Sequence, residues 1–269
     1  MTTLPSRRRR LEAVALPLLG VAAGLAAFEI APRAGVLPRQ SFPPASEIAG
    51  GFADLVSSGG LWAALGSTVN GWLRAMLIAT VIAVPLGVLI GSSRTGALLF
   101  RLPIEFLRPI PSVALIPVLI LLYGTRGAAL KIALGAYGAT FPLLFQASYG
   151  VADIDPVARD TVRAFGLGLW ARLRHLVLPT MAPYLATGLR LSAAVALILV
   201  ITGEYIVGVP GVGREVFAAQ SAGAYQRMYA LIVAAGLLGL GVNALLQALE
   251  RRVLHWHPSQ RTAVTGATA

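Results

Sequence analysis

The spacing of charged residues constrains this chain more than any other feature. No Asp, Glu, Lys or Arg falls between Arg74 and Arg94, between Lys131 and Asp153, or between Arg227 and Glu250. Each gap matches the ~20 mostly apolar residues that cross about 30 Å of hydrocarbon as a helix. A fourth candidate runs from about Glu105 to Tyr123, behind Pro109 and Pro111. A fifth begins near Tyr184 or Gly188 and passes through Ser192 to Ile201. The first lies at Leu11 to Ile30 and tolerates Glu12 and Glu29 near its two ends. Together these predict an all-α, polytopic membrane protein with six transmembrane helices. Composition agrees: 57% of residues are hydrophobic and only 12% charged, about half the charge of an ordinary soluble domain.

The first segment admits a second reading. Arg7 to Arg10 followed by Leu11 to Ala27 has the charged and apolar regions of a cleaved signal peptide. The apolar run is long for a signal, which favours a retained helix.

The 22 basic residues outnumber the 11 acidic ones, for a formal charge of +11. A basic protein of this kind suits nucleic acid only if the charge collects on a binding face. Here it follows topology. With the N-terminus in the cytoplasm, six spans return the C-terminus there. Arg7 to Arg10, Arg94, Arg101, Arg108, Arg159, Arg163, Arg172, Arg174, Arg190, Arg251, Arg252 and Arg261 then fall inside. Arg33, Arg39, Arg126, Lys131, Arg214 and Arg227 fall outside, with Arg74 at the outer end of the second span. This is the positive-inside pattern, and it removes nucleic acid as a partner.

Catalytic chemistry finds little material. There is no Cys, which excludes disulfides, thiolate metal sites and cysteine nucleophiles. His175, His255 and His257 fall in loops or the tail, so no span offers a Ser–His dyad and no metal centre is expected. The lone lysine, Lys131, is followed by Ile132, so the phosphate-binding pattern G-x-x-x-x-G-K-[ST] is absent. Gly208 to Gly213 reads as a tight turn at the outer side.

The loops divide the chain into an N-terminal helix with an outer loop (1–60) and a core of five helices (61–269). Leu61 to Leu73 is amphipathic and is expected to lie along the membrane interface. The cytoplasmic loop at 153–183 is the most charged soluble segment, and a tail covers 250–269. Within the loop a short helix reaches Gly166, whose freedom at positive φ can end it. A second starts after Gly168 and carries Leu169, Leu173 and Leu176 on one apolar face, beside Trp170. Pro179 and Pro183 then redirect the chain into the next span. A glycine-broken knob of this kind is a docking element.

Asp160-Thr161-Val162, Gly166, Leu176 and Leu178-Pro179, at their spacing, resemble the EAA loop of permease subunits in bacterial ABC importers. The likeness extends to Leu107-Arg108-Pro109-Ile110-Pro111, Ala114-Leu115-Ile116-Pro117, Tyr123-Gly124, Gly188-Leu189-Arg190, Gly203-Glu204 and the tail Leu249 to Pro258. These segments are similar to the nitrate/sulfonate/taurine branch. The family's loop usually opens Glu-Ala-Ala, whereas here the acid is shortened and two β-branched residues follow, which form helix less readily. The resemblance implies a type I importer permease in the bacterial cytoplasmic (inner) membrane, working as a dimer, expected to be a homodimer. It implies two ATPase subunits docked on Asp160 to Pro179 and an extracytoplasmic substrate-binding protein. ATP and Mg would be used by the partner ATPase, leaving this chain without a cofactor. The implied cargo is an aliphatic sulfonate, taurine, nitrate or a similar anion, with a pyrimidine precursor as the alternative. A secondary transporter, the rival class, would place several polar or acidic residues at midplane; one is found.

That residue is Glu204. Leu191 to Gly203 spans about 20 Å at ~1.5 Å per residue, too short to cross, so Arg190 or Glu204 must stand in or near the apolar slab. There Glu204 either lines the pathway or holds a gate against an Arg, or forms a structural ion pair or snorkels. Ala235, Gly239 and Asn243 suggest either a dimer face or packing within the bundle. Arg126, Lys131, Arg214 and Arg227 either attract an anion and a binding protein or contact lipid. Pro85, Pro111, Pro117 and Pro142 are candidate kinks.

Overall fold

A computed structural model describes residues 7–124 and 128–254, with side chains from residue 15 onward. Among the described residues the chain is helical, without strands. Its helices are α1 (Arg7–Arg33), α2 (Ala45–Ser57), α3 (Gly59–Ser92), α4 (Arg94–Leu107), α5 (Ile116–Tyr123) and α6 (Ala129–Ala152). They continue as α7 (Pro156–Ala164), α8 (Leu169–Arg172), α9 (Leu178–Val207), α10 (Val212–Ser221) and α11 (Tyr225–Val253).

The core is a slab in which α6 lies between α3 and α9. That position explains its composition. Buried Gly135, Ala136, Gly138, Ala139 and Ala147 let α3 and α9 approach closely, and close packing of small residues is how helices associate where lipid removes the hydrophobic drive. Two buried polar side chains tie the slab together. Trp72 Nε1 donates to the Ala193 carbonyl at 3.0 Å, and Ser192 Oγ to that of Ala139 at 2.7 Å. α10 packs on α9, α11 and α3, and α2 on α11 and α3.

Four helical stretches among the described residues are long and apolar enough to cross a membrane: Ala15–Arg33, Gly59–Ser92, Leu169–Val207 and Tyr225–Val253. A fifth arises if the bent pair Arg94–Leu107 and Ser112–Tyr123 is one span. α6, with 24 residues, is long enough but less apolar, because its neighbours rather than lipid cover it.

Several expectations are corrected. Leu61 to Leu73 does not lie along the interface; it is the first part of α3, a 34-residue helix. Its periodic face, with Leu61, Ala64, Thr68, Gly71 and Trp72, is buried core. Arg74 therefore sits inside a continuous helix rather than at its end. The segment Glu105 to Tyr123 is not a straight span. It bends by 83° where Pro109 and Pro111 interrupt the backbone ladder. α9 is longer than Leu191 to Gly203 suggested, because Arg190 lies mid-helix and does not mark its start.

α1 touches little. Ala15 to Ala27 are exposed along its length. Its far end is anchored by Glu29, which accepts hydrogen bonds from Ser46 N and Oγ at 2.9 and 3.0 Å and pairs with Arg33 at 2.6 Å.

Candidate functional site

Two constellations stand out: a buried polar cluster beside the Gly208–Gly213 turn, and the exposed loop between α6 and α9.

In the first, Glu204 and Lys131 are both essentially inaccessible, at 0% and 1% exposure. Lys131 Nζ lies 2.7 Å from Glu204 Oε1 and donates to the Pro210 carbonyl at 2.6 Å and to Ser67 O and Oγ at 3.1 Å. The Thr68 hydroxyl lies 3.0 and 2.9 Å from the two carboxylate oxygens and itself accepts from Val212 N at 3.0 Å. Gly213 N donates to Glu204 Oε2 at 3.1 Å. A buried charge is tolerable only when paired and hydrogen-bonded, and both conditions hold here.

Local sequence makes the room. The lysine stem crosses Gly71, where a Cβ would stand 2.8 Å from Lys131 Cε. Gly211 has φ 151°, and a Cβ there would fall on the Glu204 carboxylate. The glycine-rich turn is thus shaped to meet a carboxylate and an ammonium of this same chain. α3, α6, α9 and the turn into α10 meet at one ion pair.

This corrects one expectation: Lys131 is not an outward-facing cation but is buried in the first turns of α6. Of the readings open to Glu204, the structure shows an ion pair, with Lys131 rather than an Arg; Arg190 pairs with Glu250 at 3.5 Å, about 20 Å away along α9. The lone lysine and Gly203-Glu204 are visible in the sequence, but nothing local shows that the two meet. Arg214 is exposed and Arg227 lies 3.4 Å from Glu215. Arg126 lies outside the described residues, as do His255 and His257.

In the second constellation, α7 starts with Asp155 accepting from Val157 N at 2.9 Å and Pro156 in its first turn, a helix start satisfied from both sides. Its end is a Schellman motif. Gly166 sits at φ 66°, Gly166 N donates to Arg163 O at 3.0 Å, and Leu167 N to Val162 O at 3.2 Å. The predicted break at Gly166 is therefore where the chain reverses.

The second half differs from expectation. α8 does not stop before the next span; Leu169–Val207 is one continuous helical run. Pro179 has no N–H to donate, and the helix widens just before it, with Leu178 N bonding Leu173 O. Such a π-type turn absorbs a proline without breaking the helix. The leucine face also splits. Leu176 packs on Ala147, Val151, Ile154 and Met181, Leu173 is half-buried, and Leu169 is 85% exposed. Trp170 and Phe165 join Leu169 outside, at 73% and 78%. Asp160 is exposed on α7, 3.4 Å from Arg163, and Pro179 is exposed at the start of α9. An isolated apolar side chain on a surface means little, but three large ones around one reversal form a patch.

Ala235, Gly239 and Asn243 on α11 face α9 across an apolar cavity of about 340 Å³, so these small residues do not make a tight helix contact inside the described chain.

The described residues form a slab of long apolar helices that presents one loop with an exposed apolar tip. Residues 83–255 match the family described as binding-protein-dependent transport system inner membrane component, and the chain belongs to that family. It is similar to the putative aliphatic sulfonates transport permease protein SsuC of Escherichia coli strain K12, 30% identical over 87% of this chain and 89% of the relative. It is also similar to the taurine transport system permease protein TauC of the same strain, 29% identical over 82% and 79%. The nitrate import permease protein NrtB of Leptolyngbya laminosa is 27% identical over 66% and 63%. Among solved structures, a chain of the MetNI methionine ABC transporter in an inward-facing conformation superposes with TM-score 0.58 at 21% identity, over 73% of this chain and 93% of that one. This chain is a multi-pass permease subunit of an ABC importer, working with a binding protein and with ATP hydrolysis in a separate subunit.

Proposed function

We propose that two copies of this chain form the pathway of an importer for a small sulfonate, taurine, nitrate or a similar anion. Each copy crosses the bacterial inner membrane six times, through α1, α3, the bent α4–α5 pair, α6, α9 and α11, with both termini in the cytoplasm. Residues 1–60 form a peripheral helix and outer loop, and 61–269 the transporting core.

The observation that carries this reading is the reversed loop with its exposed tip. Asp160 on α7, the turn at Gly166, and Leu169, Trp170, Leu173, Leu176 and Pro179 beyond it form the ATPase-coupling element. Leu169 and Trp170 enter the ATPase, while Leu173 and Leu176 hold the element to the spans. Continuity of helix from Leu169 to Val207 supports a direct mechanical route. A push on the tip is transmitted along α9 to Glu204, and through its ion pair to α3, α6 and the outer turn. ATP and Mg act in the partner, and this chain contributes no cofactor. Glu204 and Lys131 act as the staple that makes the outer ends move together; Arg190, paired with Glu250, ties α9 to α11. The cargo assignment follows the sulfonate, taurine and nitrate names of the relatives, with a pyrimidine precursor as the alternative.

The test is uptake into proteoliposomes carrying the permease, its ATPase and its binding protein, with ATP on the ATPase side. Accumulation of labelled taurine, an alkanesulfonate or nitrate is the expected result. ATP-dependent uptake of a pyrimidine precursor alone would move the cargo assignment, and uptake independent of the ATPase would refute the mechanism.

A further inference from the structure

Three arginines of the loop face one cavity of about 300 Å³, lined also by the ends of α3 and α6. Arg159 and Arg163 stand one turn apart on α7, and Arg172 closes the other side from α8. Two of the nearby acids are engaged elsewhere, and the third meets Arg163 only at long range, leaving Arg159 and Arg172 without an acidic partner among the described residues. Asp155 caps α7, Asp153 accepts from the Tyr184 hydroxyl at 2.8 Å, and Asp160 lies 3.4 Å from Arg163 with both largely exposed. Arg159 donates only to the Val151 carbonyl, at 3.5 Å, and Arg172 has no side-chain hydrogen bond or ion pair among the described residues.

Three guanidinium groups around a half-buried cavity repel one another, and a polyoxygen anion matches their forked donors. We propose that this cavity binds a phosphate ester, and that in the membrane its source is the headgroup of an acidic phospholipid. The remaining walls argue for the lipid. Val88, Leu173 and Leu176 present apolar surface to the cavity, where free phosphate gains nothing and the glycerol and first methylenes of a lipid fit. Its place also suits a headgroup, because it opens where two long spans end, and basic pockets between spans hold acidic headgroups. A bound lipid bridges the coupling loop to α3 and α6. Leu169 of the tip borders the cavity as well, but the inference rests on Arg159, Arg163 and Arg172, none of which takes part in the proposed ATPase coupling.

The test uses the purified full-length permease without its ATPase, in detergent, with native mass spectrometry. Dioleoyl phosphatidylglycerol should be retained about tenfold over dioleoyl phosphatidylcholine, equivalent to about 1.4 kcal/mol. The Arg159→Gln/Arg172→Gln variant should lose that preference, and the corresponding Lys/Lys variant should keep part of it, which separates charge loss from misfolding. Exposed Arg101→Gln should leave it unchanged. Equal retention of the two lipids, or undiminished preference in the Gln/Gln variant, overturns the proposal. Inorganic phosphate binding as tightly as the lipid overturns the lipid as its source.

Discussion

Removing the ammonium of Lys131 leaves a sealed carboxylate without its cation. In Lys131→Met, Glu204 keeps the Thr68 hydroxyl and the Gly213 N–H, at 2.9 and 3.1 Å, but loses the 2.7 Å ion pair. The Pro210 and Ser67 carbonyls lose their donor as well. Breaking a fully buried pair by deleting one partner costs about 3–5 kcal/mol, because the survivor is an uncompensated charge. For a chain of this size that is about 6–20 °C of apparent melting temperature. Glu204→Gln keeps the carbonyl acceptor for Thr68 and Gly213 and strands the ammonium instead, with a loss of the same order. The double variant Lys131→Met/Glu204→Gln removes both charges while keeping hydrogen bonds to the glutamine. Its loss should fall well short of the two single losses added, giving a coupling of about 1–3 kcal/mol. The assay is thermal unfolding of the detergent-solubilised permease, followed by intrinsic fluorescence and by loss of the monodisperse peak. Single variants that melt within about 1 °C of the parent, or losses that simply add in the double variant, would refute the staple.

Other substitutions separate the loop from the core. Gly166→Val forces a β-branched residue to φ 66°, costing at least about 1–2 kcal/mol locally; ATPase copurification and ATP-driven uptake should fall sharply while the spans still assemble. Leu169→Ala and Trp170→Ala truncate side chains that are 85% and 73% exposed. Each should leave the isolated permease's stability within about 0.5 kcal/mol of the parent and weaken ATPase binding by about 2 kcal/mol, or ~30-fold. Gly211→Ala drives a methyl onto the Glu204 carboxylate and should destabilise the permease by more than about 1 kcal/mol, read in the same melting assay.

The physical signals in the sequence were uneven. Charge spacing located most spans, because lipid tolerates few charges and the gaps are long. It did not show how far a helix runs past a charge, or whether the charge is solvated. Arg74 is exposed on the side of a helix that measures about 51 Å at ~1.5 Å per residue, far longer than the hydrocarbon. Lys131 is sealed inside the bundle with Glu204. Lys131 does stand at the start of α6, but only tertiary contacts show that it is sealed rather than solvated, and α3 already begins at Gly59, well before Arg74. Periodicity identified the buried face at Leu61 to Leu73 but not what covers it, since a stripe facing lipid headgroups and one facing α6 look alike. The reversal at Gly166 was legible because a Schellman motif has a local chemistry. Helix continuity through Pro179 was not, because a π-type turn depends on the whole path of the backbone. α6 is the converse: a central helix reads as weakly apolar because protein, not lipid, surrounds it.

If the permease is driven through the exposed tip of its loop, that tip touches the ATPase, and cross-linking reads the contact. Trp170→Cys in this cysteine-free chain provides a single reactive thiol on the permease, to be reacted with the co-expressed ATPase in native membranes through a short bifunctional reagent carrying a thiol-reactive and a photoreactive end. A permease–ATPase adduct is expected from position 170, its yield changing when ATP is added, with little or none from Leu77→Cys on the exposed side of α3. No adduct at position 170, or equal adducts at both positions regardless of ATP, would contradict it.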